Sequence, residues 1–168
     1  MNKIIKSIVD ELDRGMEEAQ MDLEYDKWRQ NIPGKPGWYL IKTNTPVEVL
    51  MKCTRIHKAH INIPETIKKK SKLSDVGIAI IQSGDAEYIV YNGEANNLKA
   101  RAREHAKGHP QTYCLGLSDY MALRNYRWTF CYVPASEGKS LPDGDKTLRT
   151  AVEQAWRAKH GWPILCSK

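Results

Sequence analysis

The sequence predicts an α+β domain in which helices flank a small, mostly antiparallel sheet. Short runs rich in β-branched and aromatic residues recur at 38–43 (WYLIKT), 88–91 (YIVY) and 127–133 (RWTFCYV), the composition of half-buried strands. Helical periodicity marks a segment near each end of the chain. The resulting order, helix, strands, helix, short helix, strand, helix, is that of an α+β layer architecture.

At 168 residues with 41% hydrophobic content, the chain is long enough for one domain with a real core. Its formal charge of +6 and pI near 9.1 favour a polyanionic partner such as nucleic acid. Cys53, Cys114, Cys131 and Cys166 are scattered with no CxxC pair, which points to a reducing, cytoplasmic setting. No apolar run is long enough to span a bilayer, and the N-terminus has no signal-peptide pattern, so no membrane role is expected.

Residues 2–31 begin with a helical pattern of Ile4, Ile5, Ile8, Val9, Leu12, Met16, Ala19 and Leu23, ended by the Pro/Gly-rich stretch 31–37. Packing on the core is favoured over a dimerisation or DNA-docking arm. After the strand at 38–43, Asn44-Thr45-Pro46 is a turn and 47–53 alternates, so a hairpin is expected. Residues 54–73 carry Arg55, His57, Lys58, His60, Lys68, Lys69, Lys70 and Lys72, split by Pro64. This segment reads either as a solvated surface loop or as a DNA-contacting insertion. Cys53, His57 and His60 have zinc-like spacing, but no fourth ligand follows nearby, so the basic loop is preferred. Residues 76–82 and 88–91 suggest a second hairpin.

The stretch from Glu87 to His105 carries the most chemistry. It reads as a strand broken by Asn92-Gly93, then a helix over 95–107 stopped by Gly108. Asn97, Arg101 and His105 share one helical face, while Leu98 and Ala102 anchor a neighbouring one. Tyrosine, arginine and histidine together suit an anionic substrate and proton transfer. Downstream, 110–116 is loop, Ser118 or Asp119 caps a short helix through Tyr126, and 136–145 is a polar loop. Leu148, Val152, Ala155 and Trp156 mark the apolar face of a last helix over 145–160.

Tyr91-Asn92-Gly93, followed by Asn97-Leu98, Arg101 and His105 one turn later, resembles the second half of the motif that names the GIY-YIG nuclease superfamily, and most resembles its type II restriction endonucleases. The resemblance implies a GIY-YIG-like core spanning 1–168 as a single nuclease domain. It would comprise a helical arm (1–33), an inserted basic segment (44–85) and the remainder of the catalytic core (86–168). By the same resemblance Arg101 contacts the scissile phosphate, which a guanidinium fork suits. The family's tyrosines position or deprotonate water, and His105 orients the base, donates to the phosphate or assists proton transfer. Gly93 and Asn97 shape the motif, and one helical glutamate binds Mg²⁺ or Mn²⁺. Glu153 fits that glutamate by order and setting, beside Val152 on the last helix.

The first half-motif has two alignments. Gly37-Trp38-Tyr39 keeps the reactive hydroxyl, with tryptophan in place of an aliphatic residue, and makes 44–85 an insertion. Gly77-Ile78-Ala79 has the compact spacing to Arg101 but lacks the hydroxyl. The first is preferred, with Tyr39 and Tyr91 as the paired tyrosines. Lys68, Lys69, Lys70, Lys72, Arg103, Arg124 and Arg127 are expected contacts to double-stranded DNA, mostly at phosphates. A single site of this kind implies a homodimer or sequential nicking for double-strand cleavage. The alternatives are a homing or structure-specific repair nuclease of the same superfamily, or an inactive nucleic-acid-binding module, which Ala79 would favour.

Overall fold

The computed structural model describes residues 3–57, 61–75, 79–80, 86–135 and 146–166, without the side chains of 4, 5 and 71–75. Four strands, β1 (Glu17–Gln20), β2 (Gly37–Thr43), β3 (Tyr88–Ala95) and β4 (Trp128–Pro134), form one antiparallel sheet in the order β1-β4-β2-β3. Five helices accompany it: α1 (Lys3–Gly15), α2 (Val47–Lys52), α3 (Ile63–Asp75), α4 (Leu98–Lys107) and α5 (Lys146–His160). The expected α+β class is therefore observed, with β2 at the centre of the sheet.

Strand alternation separates two faces. Trp38, Leu40, Cys131 and Val133 meet Ile8, Val9 and Leu12 of α1 and Val152 and Trp156 of α5. Tyr39, Ile41, Phe130 and Tyr132 face the larger core, which includes Leu98, Ala102 and Ala106 of α4. The sheet is thus covered on both sides, with α1 and α5 on one face and α4 on the other. The apolar face of α1 lies in the chain's own core, which is the packing arrangement favoured for it.

Several local expectations are corrected. The N-terminal helix ends at Gly15, and Glu17–Gln20 pairs with β4 instead of continuing the helical pattern. Joining β4 satisfies backbone groups that an edge strand would leave open. Val47–Lys52 is helical, not a strand: Leu50 is fully buried, and its amide donates to the Pro46 carbonyl at 3.1 Å. Val47 and Leu50 share one helical face, whereas Val47, Val49 and Met51 alternate as in a strand, and packing decides between the two patterns. Residues 63–75 are helix rather than loop, with Pro64 in the first turn, where its missing N–H is harmless. The short helix expected from 118 is two 3₁₀ turns, Leu117–Asp119 and Met121–Asn125, without side-chain caps. Most of the expected strand 76–82 and the loop 136–145 fall outside the described residues.

The Asn92-Gly93 pair does not break its strand, because β3 continues to Ala95. Its partner is β2, with Tyr39 opposite Gly93 and Ile41 opposite Tyr91. The chain therefore leaves the sheet after Thr43 and returns to it at Tyr88 as the neighbouring strand. Ala79 instead bridges Trp162, and the Ile80 amide donates to the Trp162 carbonyl at 2.9 Å. The Leu165 amide donates to Val90 at 2.8 Å, so the C-terminal segment occupies part of the outer edge of β3.

Leu12 is 1% exposed between α5 and the sheet. Leu12→Ala is expected to lower the free energy of unfolding by about 2–4 kcal/mol in urea titrations. A change within experimental error would make α1 a detachable arm rather than part of the core.

Candidate active site

Tyr39 sits in the middle of the central strand with its ring directed at α4. The ring lies between Phe130 (centroids 5.2 Å apart) and Tyr91 (6.1 Å apart), both nearly parallel to it. This placement requires glycine at 93, since a Cβ there would stand 2.5 Å from Tyr39 Oη and 2.8 Å from Cζ. Close approach, not a left-handed backbone, explains Gly93.

The Tyr39 hydroxyl meets two groups from α4. Arg101 Nε donates to Oη at 2.9 Å, and His105 Nε2 lies 3.0 Å from the same oxygen. The Leu115 amide donates to His105 Nδ1 at 3.3 Å. That bond leaves Nδ1 without a proton, so neutral His105 carries its hydrogen on Nε2 and donates it to Tyr39. Burial pushes the His105 pKa well below its ordinary value, and the Arg101 charge adds to the shift. Tyr91 completes the cluster with its ring centroid 4.6 Å from that of His105.

Local geometry on α4 explains this convergence. Asn97 caps the helix by accepting the Ala100 amide at 2.9 Å. Leu98, Ala102 and Ala106 bury the adjoining stripe, so Arg101 and His105, one turn apart, point at the sheet. Arg101 Nη1 donates to Glu104 at 2.8 Å and Nη2 to the Tyr113 carbonyl at 2.5 Å. With Nε on Tyr39, three of its five N–H groups have these acceptors, and Tyr91 is a further hydrogen-bond partner of the guanidinium.

Both phenols hold their protons tightly. Burial pushes Tyr39 well above the ordinary phenol value, reinforced by Tyr91 and opposed by Arg101. Burial, with Cys166 and Glu153 adding to it and Arg101 opposing, raises Tyr91 to about 12.

Glu153 approaches from the other face of the sheet. It lines a small cleft beside Gly93 that also includes Trp38, Tyr39 and Asn92. Burial raises its pKa and the nearby Glu94 adds to this, while Arg157, a backbone hydrogen bond from Glu94 and the charge of Arg101 oppose it. Arg157 Nη2 donates to Glu153 Oε1. Among the described residues no three His, Cys, Asp or Glu side chains converge into a metal cage. One partly buried carboxylate still suits a magnesium-like ion that takes one or two carboxylates and otherwise water and phosphate.

A polar row that no motif marks in the sequence supports this site. Arg149, Glu153 and Arg157 recur every four residues on α5 and face Asn92, Glu94 and Asn96 on and just after β3. Arg149 Nε donates to Glu94 at 2.9 Å and its Nη2 to Asn96 Oδ1. Arg157 Nε donates to Asn92 Oδ1 at 2.8 Å. Trp38 Nε1 joins the same interface by donating to the Arg149 carbonyl at 3.1 Å. The signal was available as two arginines one turn to either side of Glu153.

The expected DNA-contacting cations lie outside the tyrosine–arginine cluster. Lys68 and Lys69 are exposed on α3, and Lys70 Nζ stands 4.9 Å from the Trp162 ring centroid. The Lys72 side chain falls outside the described residues. Arg103 is exposed on α4. Arg124 donates to the Ser118 carbonyl at 3.0 Å, and Arg127 lies 3.9 Å from Glu87 near the Thr43 end of the sheet. Of the zinc-spaced trio, Cys53 donates to the Leu50 carbonyl, His57 pairs with Asp119, and His60 falls outside the described residues.

Gly93→Ala is expected to cost about 1–3 kcal/mol of stability, because the added methyl forces the Tyr39 ring or the β2–β3 pair to move. Calorimetric melting would check it, and an unchanged melting temperature would contradict the close approach. His105 supplies a pH test. Its folded pKa is depressed, so its contribution to stability is complete above the unfolded value of about 6.5 and is lost as pH falls below it. Relative to His105→Gln, the native chain should lose up to about 1.4 kcal/mol per pH unit below pH ~6.5. Parallel stability curves for the two proteins would contradict a buried neutral histidine.

No family model, curated protein or solved structure matches this chain.

Proposed function

We propose that the chain is a divalent-metal-dependent endonuclease of the GIY-YIG type acting on double-stranded DNA, of the type II restriction kind. The observation that carries this reading is the shared Tyr39 hydroxyl, held by Arg101 and His105 beneath Gly93 with Tyr91 alongside. Those residue types occupy the places that the half-motifs assign to them when Gly37-Trp38-Tyr39 is the first half. Ala79, which would have removed the hydroxyl, bridges Trp162.

In this reading Arg101 presents its guanidinium to phosphate oxygens, while its bonds to Tyr39, Glu104 and Tyr113 fix the fork. Tyr39 Oη accepts from Arg101 and His105, so its own proton is directed to whatever enters the site. Burial keeps Tyr39 and Tyr91 protonated in the free protein, so their first task is to orient the attacking water. Proton abstraction by Tyr39 needs further positive charge nearby. Mg²⁺ or Mn²⁺ on Glu153 would supply that charge and would stabilise the charge that develops on the phosphate. The exposed cations on α3 and α4 would hold the DNA backbone without reading sequence. Double-strand cleavage through one such site requires a homodimer or two sequential nicks. Four buried free cysteines suit a reducing cytoplasm, and no helix among the described residues is long and apolar enough to cross a membrane.

Incubation of plasmid DNA with the protein and Mg²⁺ should give discrete fragments that EDTA abolishes. Binding without cleavage would leave a nucleic-acid-binding module instead. Glu153→Ala should eliminate cleavage while DNA affinity, read by gel shift, changes less than about threefold. Arg101→Ala should slow cleavage by about a hundredfold or more, from the usual effect of removing one transition-state donor. Near-native rates in either variant would remove that residue from the site.

A further inference from the structure

Arg157 plays no part in the tyrosine cluster, yet it is 7% exposed and has several partners on the far side of the sheet. Its Nε donates to Asn92 Oδ1 at 2.8 Å, its Nη2 approaches the Asn92 carbonyl at 3.4 Å, and the same nitrogen donates to Glu153 Oε1. Its guanidinium carbon stands 4.7 Å from the centroid of the Trp162 ring, and Lys70 Nζ stands 4.9 Å from that centroid. Asn92 is itself fixed, because Cys166 Sγ lies 3.3 Å from its side-chain oxygen and accepts its backbone amide at 3.3 Å. The fork therefore spans from the half-motif strand to the acidic residue one turn back on α5.

We propose that Arg157 is a positioning residue that holds the Glu153 carboxylate in its metal-binding orientation by tying one of its oxygens to Asn92 of β3. This rests on the reading of Glu153 as the metal ligand. A long glutamate side chain has three rotatable bonds, and ordering it has an entropic cost at the moment of binding. Contact with Arg157 through Oε1 restricts those rotations beforehand, and the carboxylate, which has about four lone-pair sites, keeps capacity for a cation. A planar fork can contact Asn92 and Glu153 together, which a lysine ammonium in the same place cannot reproduce. Partners of this kind, one bond behind a ligand, typically change metal affinity by about 10–100-fold when removed.

The test is Mn²⁺ binding by the full chain without DNA, read by electron paramagnetic resonance of the free ion. The native protein should bind Mn²⁺, and Glu153→Gln should not. Arg157→Met, which keeps much of the buried stem, should weaken binding by about tenfold or more, and Arg157→Lys should recover only part of that loss. Asn92→Ala leaves Arg157 in place without its side-chain anchor and should also weaken binding. It carries the test if Arg157→Met does not fold. Native affinity in Arg157→Met or in Asn92→Ala would overturn the positioning role while leaving Glu153 as the ligand. Tighter binding in Arg157→Met would also overturn it, by making Arg157 a competitor for the carboxylate. If the native protein and Glu153→Gln bind Mn²⁺ alike, the metal reading of Glu153 fails as well.

Discussion

A phenol buried at the centre of a sheet must find partners for its oxygen, and in this fold both come from a single helix. Tyr39 Oη receives Arg101 and His105, and the space for its ring exists because position 93 has no side chain. The rest of the site follows from that contact. The Asn97 cap and the buried leucine and alanines of α4 fix the helix rotation, and the Leu115 amide fixes the histidine tautomer. Burial then sets the protonation states, with neutral imidazole, protonated phenols and a guanidinium that keeps its charge.

On the opposite face a row of ion pairs runs beside the apolar packing of α1 and α5. Arg149 and Arg157 are both nearly inaccessible and both paired, to Glu94 and Glu153. Buried ion pairs often contribute little net stability, since desolvation offsets their attraction, but breaking one leaves an expensive lone charge. Their clearer consequence here is registry. The spacing of the arginines along α5 matches the alternation of Asn92, Glu94 and Asn96 along the chain, and a shift of one turn would unpair the row. Trp38 and Asn92 both bond to this helix.

The long excursion between β2 and β3 reaches the C-terminal segment rather than the tyrosine cluster. It supplies α2 and the lysine-bearing α3, and its Ala79 and Ile80 meet Trp162. Lys70, Trp162 and Arg157 then form a stack that leads from α3 to Glu153. The outer edge of β3, which would otherwise present open backbone groups, is in part occupied by the 162–166 segment.

The sequence by itself determined what depends on near neighbours. The Tyr91 to His105 spacing, the end of α4 at Gly108 and the amphipathic α5 are all set within a few turns of chain, where 2-residue and 3.6-residue periods are decisive. Only the tertiary structure decided which segment lies beside β3. Tyr39 and Ala79 were both admissible, and strand pairing across some fifty residues is fixed by burial that no local pattern encodes. The same holds for Val47–Lys52, whose apolar spacing suits strand and helix alike until Leu50 meets the core, and for Glu17–Gln20, which is a strand because β4 offers it partners. The arginines flanking Glu153 read as ordinary surface charges along the helix. Burial against β3, a property of the whole fold, turns them into the support of the candidate site.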